Sequence, residues 1–283
     1  KDSTFDKNSI LNNKKPFLWV YIDYKKNSRK WTSFYSRSSN DLNQDYLSLT
    51  IQSIIKKCNE DFYVVLIDSS SFDLLLDDWN SILNTMPFIN ENNCKNLGII
   101  KLLNCYGGIS IEPNNILFKS LKPIYDNIKS KNKMVVGEYK NNSSFNHVKN
   151  SMPSLKLVGC LEKCKKCEEL LDYLINLYSN DYTNENNVEN NLGNWLLNNT
   201  NNNSIDYLNG EYIGTKDINN KIIDIEVLMS SHNLELNNKG LGLYIPAEDL
   251  LKRTNYNWFI YLSEKEVLES YTNISKYLLI NIN

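Results

Sequence analysis

The chain has 283 residues, 23% of them charged and 41% hydrophobic, with a formal net charge of -2. That length buries a sizeable core in one large domain or two small ones, and the composition is that of a soluble globular protein. The balance of charge offers no basic field for nucleic acid, and no apolar run approaches the length of a membrane span.

In chain order, residues 1–16 read as a polar N-terminal arm. FLWVYIDY (Phe17–Tyr24) reads as a buried first strand. A polar stretch rich in Ser, Arg and Asn follows. Tyr46–Cys58 has helical period, with Leu47, Ile51, Ile54, Ile55 and Cys58 on one face. Phe62–Ile67 is a second buried strand ending at Asp68, and Phe72–Leu83 a short helix. Leu97–Tyr106 is the next helix, and short strands at Ile109–Ile111 and Ile116–Phe118 flank a polar turn. A helix over Leu121–Ile128 and strands at Met134–Glu138 and Leu155–Gly159 come next. Glu162–Tyr178 is amphipathic, Val188–Leu197 is helical, and Asn198–Asn203 reads as a low-complexity loop. Strand or turn elements at 205–207, 212–214 and 222–228 precede a strand at Leu241–Pro246. Helices over Ala247–Leu262 and Glu264–Ile280 close the chain. The alternation of strand and helix in the first third predicts an α/β fold with parallel strands.

The segment Cys94–Phe118, CKNLGIIKLLNCYGGISIEPNNILF, holds the most information. Its helix, its Tyr106-Gly107-Gly108, its strand and its turn at Glu112-Pro113-Asn114 resemble the GT-A glycosyltransferases of the capsular-polysaccharide, GT32-like kind. Their pattern is roughly A-D-x-x-R-x-x-x-L-x-x-x-G-G-I-Y-x-D-x-D. Leu103, Tyr106, Gly107, Gly108, Ile109 and Ile111 supply its scaffold half. Asn96 stands in place of an aspartate, Ile99 in place of the arginine, and Glu112 and Asn114 in place of the two aspartates of the DxD motif. The resemblance implies a GT-A-like mixed sheet flanked by helices, with a helical C-terminal part. Residues 17–283 would form one domain, with a nucleotide-binding half over about 17–128 and an acceptor half over about 129–283.

The chemistry such a site needs is stabilisation of a diphosphate leaving group. A divalent cation held by oxygen ligands supplies it as a Lewis acid. In this chain only Glu112 and Asn114 stand at the metal position, so Mn2+ or Mg2+ would be held with one formal charge fewer. Arg29 and Arg37 are the alternative, since arginine pairs with phosphate in a bidentate way. Trp19 and Tyr24 are stacking candidates for a base, with Trp19 also readable as sheet core. The rule that ligands bind beyond the carboxyl ends of parallel strands adds Asp23 and the Asp68-Ser69-Ser70 edge. Asn96, Gly107 and Gly108 complete the nucleotide-sugar set that the resemblance implies.

These substitutions predict a glycosyltransferase-like domain that has lost its catalytic chemistry, a pseudoenzyme with a structural or interaction role and protein partners. The alternative is an active, atypical transferase that uses a nucleotide sugar. A softer resemblance, carried by Arg29–Ser39 and Leu241–Leu262, is to uncharacterised proteins of giant DNA viruses. It implies a place in a virion or in viral glycosylation. Abundant Asn and a single alanine, Ala247, suit an AT-rich genome. Tyr256 and Trp258, beside Lys252 and Arg253, are contact candidates in the structural reading.

The six cysteines lack the spacing of a disulfide scaffold, which predicts a reducing compartment, cytoplasmic or within a virion. Cys160-x3-Cys164-x2-Cys167 reads either as a zinc half-site lacking a fourth ligand or as ordinary helix and strand thiols. No secretory leader is visible, and the chain does not begin with Met.

Overall fold

The computed structural model describes residues 15–22, 44–86, 89–140, 151–179 and 185–282. In chain order the strands are β1 (Phe17–Tyr21), β2 (Tyr63–Ile67), β3 (Gly108–Ile111), β4 (Asn115–Leu117), β5 (Val135–Lys140), β6 (Ser151–Cys160), β7 (Asp206–Leu208) and β8 (Gly242–Tyr244). The helices are α1 (Asp45–Cys58), α2 (Ser69–Leu75), α3 (Trp79–Leu83), α4 (Glu91–Tyr106), α5 (Lys122–Lys131), α6 (Lys165–Ser179) and α7 (Glu185–Asn201). They continue with α8 (Gly210–Ile213), α9 (Ile225–Leu228), α10 (Ala247–Lys252), α11 (Glu264–Leu268) and α12 (Asn273–Ile282).

Two compact units share the chain, and both are assembled from separate stretches of it. The first takes residues up to Tyr21, Asp61–Ile111 and Leu121–Leu208. The second takes Ile22–Glu60, Glu112–Ser120 and Asn209–Asn283.

The first unit is a six-stranded mixed sheet in the order β2-β1-β3-β6-β5-β7, flanked by helices. β1 runs parallel to both β2 and β3, β6 is antiparallel to β3 and β5, and β7 is parallel to β5. Parallel neighbours need crossover connections, and the helices between β2 and β3 supply one. β1 sits between two strands with both faces covered, which is why FLWV is apolar without alternation. β2 lies at the edge, where Tyr63 and Leu66 are exposed. One core fills this unit, with Trp19, Phe72, Trp79, Leu97, Ile100 and Leu103 among its members.

Helix α4 is buried nearly all round, from Leu97 through Leu103, so it shows little amphipathic periodicity. It starts on the Asn90 side chain, which accepts the Asn93 N–H at 2.8 Å, and ends where the Gly107 N–H donates to Leu103 O at 2.8 Å. Gly107 has φ +66° and Gly108 φ +105°. A Cβ on Gly108 would lie 2.3 Å from the Phe17 carbonyl oxygen, and one on Gly107 would lie 2.7 Å from the Glu162 nitrogen. Both glycines are thus demanded by the approach of neighbouring backbone as well as by their dihedral angles.

The second unit is built around α1, the antiparallel pair β4–β8 and the helical C-terminal part. Its core includes Tyr46, Leu49, Ile116, Leu243, Phe259 and Leu278. Ser53 on α1 ties the helix to β4: its Oγ accepts the Leu117 N–H at 3.1 Å and donates to Thr50 O at 2.7 Å.

The structure corrects several element boundaries. Residues 72–83 are not one helix, since α2 and α3 are separated by an extended Leu76. The loop expected at 198–203 is largely the end of α7, where the Asn199 amide donates to Trp195 O and the Thr200 hydroxyl to Leu197 O. The last long helix is two helices, divided at Tyr271, which has φ 56°. Each has its own N-cap: Ser263 exchanges hydrogen bonds with Glu266, and Thr272 does so with Ser275. Ala247–Leu262 divides into α10 and a 3-10 turn at Asn257–Tyr261. Of the strand or turn elements expected at 212–214 and 222–228, the structure makes short helical turns at Gly210–Ile213 and Ile225–Leu228.

Gly108→Ala should cost about 3 kcal/mol or more, because strain and a backbone clash coincide. Gly98→Ala meets only the Phe72 ring, a side chain, at 2.5 Å, and should cost less. Urea midpoints of the two variants measure the order.

Candidate functional site

The carboxyl ends of β1, β2 and β3 fall on one edge of the first sheet, because Tyr21 pairs with Ile67 and Val20 with Ile111. Of the residues expected there, Asp23, Tyr24, Arg29 and Arg37 lie outside the described residues. What the described part of the edge holds is Tyr21, stacked on Phe72 at 5.9 Å, with the Lys95 ammonium 5.5 Å from the Tyr21 ring centre. Asp68 follows β2. Its Oδ1 accepts hydrogen bonds from the Ser70 hydroxyl at 2.7 Å, the Ser71 hydroxyl at 2.9 Å and the Ser71 N–H at 3.0 Å. The Ser71 hydroxyl oxygen takes the Asp68 N–H in return. Asp68 is therefore the N-cap of α2. Burial works against its charge, but the Ser70 and Ser71 hydrogen bonds outweigh burial and hold its carboxyl below the usual range.

Trp19 has no exposed surface. Its ring stacks on Phe17 at 4.9 Å, lies 6.0 Å from Tyr106, and its indole N–H donates to Gly107 O at 3.0 Å. Trp19 is a sheet-core residue in this structure, with no ring face open to a base. Gly107 and Gly108 face protein backbone, as described above. Asn96 is half-buried beside the Tyr178 hydroxyl, which burial holds protonated well beyond the ordinary phenol range.

Ile99, at the position of the family's arginine, is 4% exposed and part of the core. A cation there would be buried without a partner. A buried charge lies two residues on. Lys101 is buried along α4, and its ammonium reaches Asp78 at 2.8 Å. The hydrogen bond to Lys101 is the main cause holding the Asp78 carboxyl below its usual range. The adjacent carboxylates Asp77-Asp78 and the lysine inside the apolar run Leu97–Leu103 were the available signal.

The turn after β3 belongs to the second unit. Asn114 is 3% exposed. Its side-chain amide donates to Ile245 O, and its own carbonyl accepts the Ile245 N–H at 2.9 Å. Asn115 closes the turn by donating to Glu112 O at 2.8 Å and pairs with Tyr244 across β4–β8. Glu112 is half-buried, and the Tyr244 hydroxyl donates to its Oε2 at 3.3 Å. The wholly buried Tyr46 hydroxyl has no hydrogen-bond partner among the described residues. Burial, then the Tyr244 and Glu112 charges, push it up and keep it protonated.

The turn thus brings together one carboxylate and two phenols, with Asn114 oriented into the β4–β8 pairing. Among the described residues no group of three or more His, Cys, Asp or Glu side chains is placed to hold a metal ion. No helix among them is long and apolar enough to cross a membrane.

The sequence matches no protein-family model and no curated protein. Similar solved structures include the PaToxG glycosyltransferase, at 12% identity and a TM-score of 0.40 over 67% of this chain and 69% of that one. The glycosyltransferase GlyE of Streptococcus pneumoniae TIGR4 is similar at 12% identity and a TM-score of 0.40. Its apo form is similar at 13% and 0.39. The GlyE matches cover 71% of this chain but 46% of theirs, so this chain spans under half of GlyE. At such identity and TM-score these likenesses assign no activity to this chain.

Asp68→Ala should cost about 1 kcal/mol at neutral pH, the usual worth of an N-cap. Because the folded-state pKa is lowered, that contribution is present in full above about pH 4 and fades as pH falls through the folded value. Denaturant midpoints of both proteins across acid pH measure it.

Proposed function

We propose that this chain is a glycosyltransferase-like scaffold whose metal-dependent chemistry is lost and whose role is structural or interactive, through protein partners. The observation that carries the reading is the state of the turn after β3. A DxD-type turn works by presenting two oxygen ligands to a cation. Here the second position is a buried asparagine bonded through side chain and backbone to Ile245. The first is a glutamate in contact with a tyrosine hydroxyl. Burial of Ile99 supports the same reading, since the cation expected from α4 is replaced by core. Trp258 and Tyr261 stand exposed near Arg253, which pairs with Glu226, and suit a surface that meets protein.

A second reading draws on Glu112. Its half-buried carboxylate, with Tyr244 bonded to it and the buried Tyr46 hydroxyl, which has no partner among the described residues, resembles a small polar site that could take a ligand. In that reading the chain is an atypical nucleotide-sugar transferase. Glu112, with whatever Asn114 contributes, would hold Mn2+ or Mg2+, or Arg29 and Arg37 would neutralise the diphosphate without metal.

Calorimetric titration with UDP-, GDP- and CMP-sugars, with and without Mn2+, separates the two. The scaffold reading expects no binding at millimolar ligand under either condition. Mn2+-dependent binding that Glu112→Gln abolishes would establish the second reading, and metal-independent binding would shift the search to Arg29 and Arg37.

A further inference from the structure

Two lysine-rich turns of the first unit have no part in the site above. The chain is slightly acidic overall, yet it carries Lys129, Lys131 and Lys133 in the run KSKNK and Lys163, Lys165 and Lys166 in the run KCKK. The first run spans the end of α5 and the turn into β5. The second spans the turn between β6 and α6 and the start of that helix. β6 is antiparallel to both β3 and β5, and β7 is parallel to β5. The start of β5, the start of β7 and the end of β6 therefore share the edge of the sheet opposite the carboxyl ends of β1, β2 and β3.

Between these turns lies an open basin of about 310 Å³, whose wall includes Lys133, Lys163, Lys165, Lys166, Ser204 and a single carboxylate, Glu169. Lys166 is held by Glu169 and by Asn199 Oδ1 at 3.3 Å, and Lys133 donates to Asn203 O at 2.8 Å. A carbonyl partner leaves the Lys133 charge uncancelled. Lys163 and Lys165 are exposed and make no ion pair among the described residues. Of the other carboxylates on these segments, Asp206 is paired with Lys131 at 2.6 Å, and Glu162 and Glu168 do not line the basin. The wall thus sets four ammonium groups against one carboxylate. Their mutual repulsion costs stability, and an anion of several charges relieves it.

We propose that this basin binds a small anion carrying two or more linked phosphates, with the diphosphate group as the unit recognised. Size and charge both select that class. The volume is at the small end for ligand pockets, and four ammonium groups exceed what one phosphate dianion neutralises. Lysine meets phosphate as a point charge, with no fork geometry to satisfy. Lys133 and Lys166, held by protein partners, form a fixed wall, while Lys163 and Lys165 swing onto the ligand. The site lies at the other edge of the sheet from the candidate site, so it does not depend on the reading of the Glu112 turn.

The test titrates the whole chain, without added metal, with inorganic pyrophosphate at low salt and follows the amide NMR shifts. The expected Kd is below about 1 mM and at least about tenfold lower than that of orthophosphate. Shifts should gather at Lys133, Lys163, Lys165, Lys166 and Ser204, and binding should weaken as salt rises. Lys163→Gln combined with Lys165→Gln should weaken binding about tenfold or more. Lys221→Gln combined with Lys239→Gln, at exposed lysines of the second unit, should leave it unchanged. UDP should shift the same amides: an affinity equal to that of pyrophosphate assigns recognition to the diphosphate alone, and a higher one adds the nucleoside. No binding at about 10 mM, equal affinity for orthophosphate, shifts gathered elsewhere, or full binding by the Lys163 and Lys165 double variant would each overturn the proposal. In the nucleotide titration above, binding that this double variant removes belongs to the basin, and binding that Glu112→Gln removes belongs to the turn. The wild-type shift map locates the site even if a variant fails to fold.

Discussion

The passage of backbone through Gly107 and Gly108 is the constraint on which the first unit depends. Helix α4 must end and β3 must begin within two residues, in the centre of a sheet, with the Phe17 carbonyl on one side and Glu162 on the other. Only residues without Cβ meet both the dihedral angles and the contacts. The Trp19 indole then secures the junction by donating to Gly107 O from the adjacent strand. Once this junction is set, β3 lies between β1 and β6, and the carboxyl ends of the parallel strands share an edge.

A resemblance carried by such a junction is a resemblance of scaffold. The residues that make it up answer to packing and would persist in a protein that binds nothing. Chemistry has separate requirements, and three of the described residues at the expected positions have structural roles here. Ile99 contributes to the core where a cation would stand. Asp68 caps a helix, and Asn114 holds two strands together. Ile99 is explained by packing and Asp68 and Asn114 by hydrogen bonds within the protein, so none of the three needs a ligand to explain it. Glu112 is the exception: a carboxylate with one phenol bonded to it and another buried nearby.

The sequence made β1, α1, β2 and β3 legible because their apolar periods are long and are bounded by polar turns. It made the ends of elements less legible. The Asn run at 198–201 looks like a loop by composition, but Asn199 and Thr200 bond back to the preceding turn of α7. The break at Tyr271 goes with the cap at Thr272, which a short motif announces only weakly, and no side-chain cap marks the break at Leu76. The order of strands and helices made the α/β class and the parallel strands β1, β2 and β3 readable, the mixed sheet came only from the resemblance, and the interleaving of two units was not readable, because no linker marks it. At the site, Glu112 and Asn114 were found by motif spacing. The bond that defines Asn114 reaches Ile245, 131 residues away, and no local pattern carries that information.

The central claim is that the Glu112–Asn114 turn serves the β4–β8 pairing and holds no catalytic cation. The most direct test is an amide NMR spectrum followed through additions of Mn2+, whose unpaired electrons broaden signals near the ion. The account predicts that the Glu112, Asn114, Asn115 and Tyr244 signals broaden no more than those of exposed surface residues. Selective loss of those four at low Mn2+, reversed by a chelator, would contradict it.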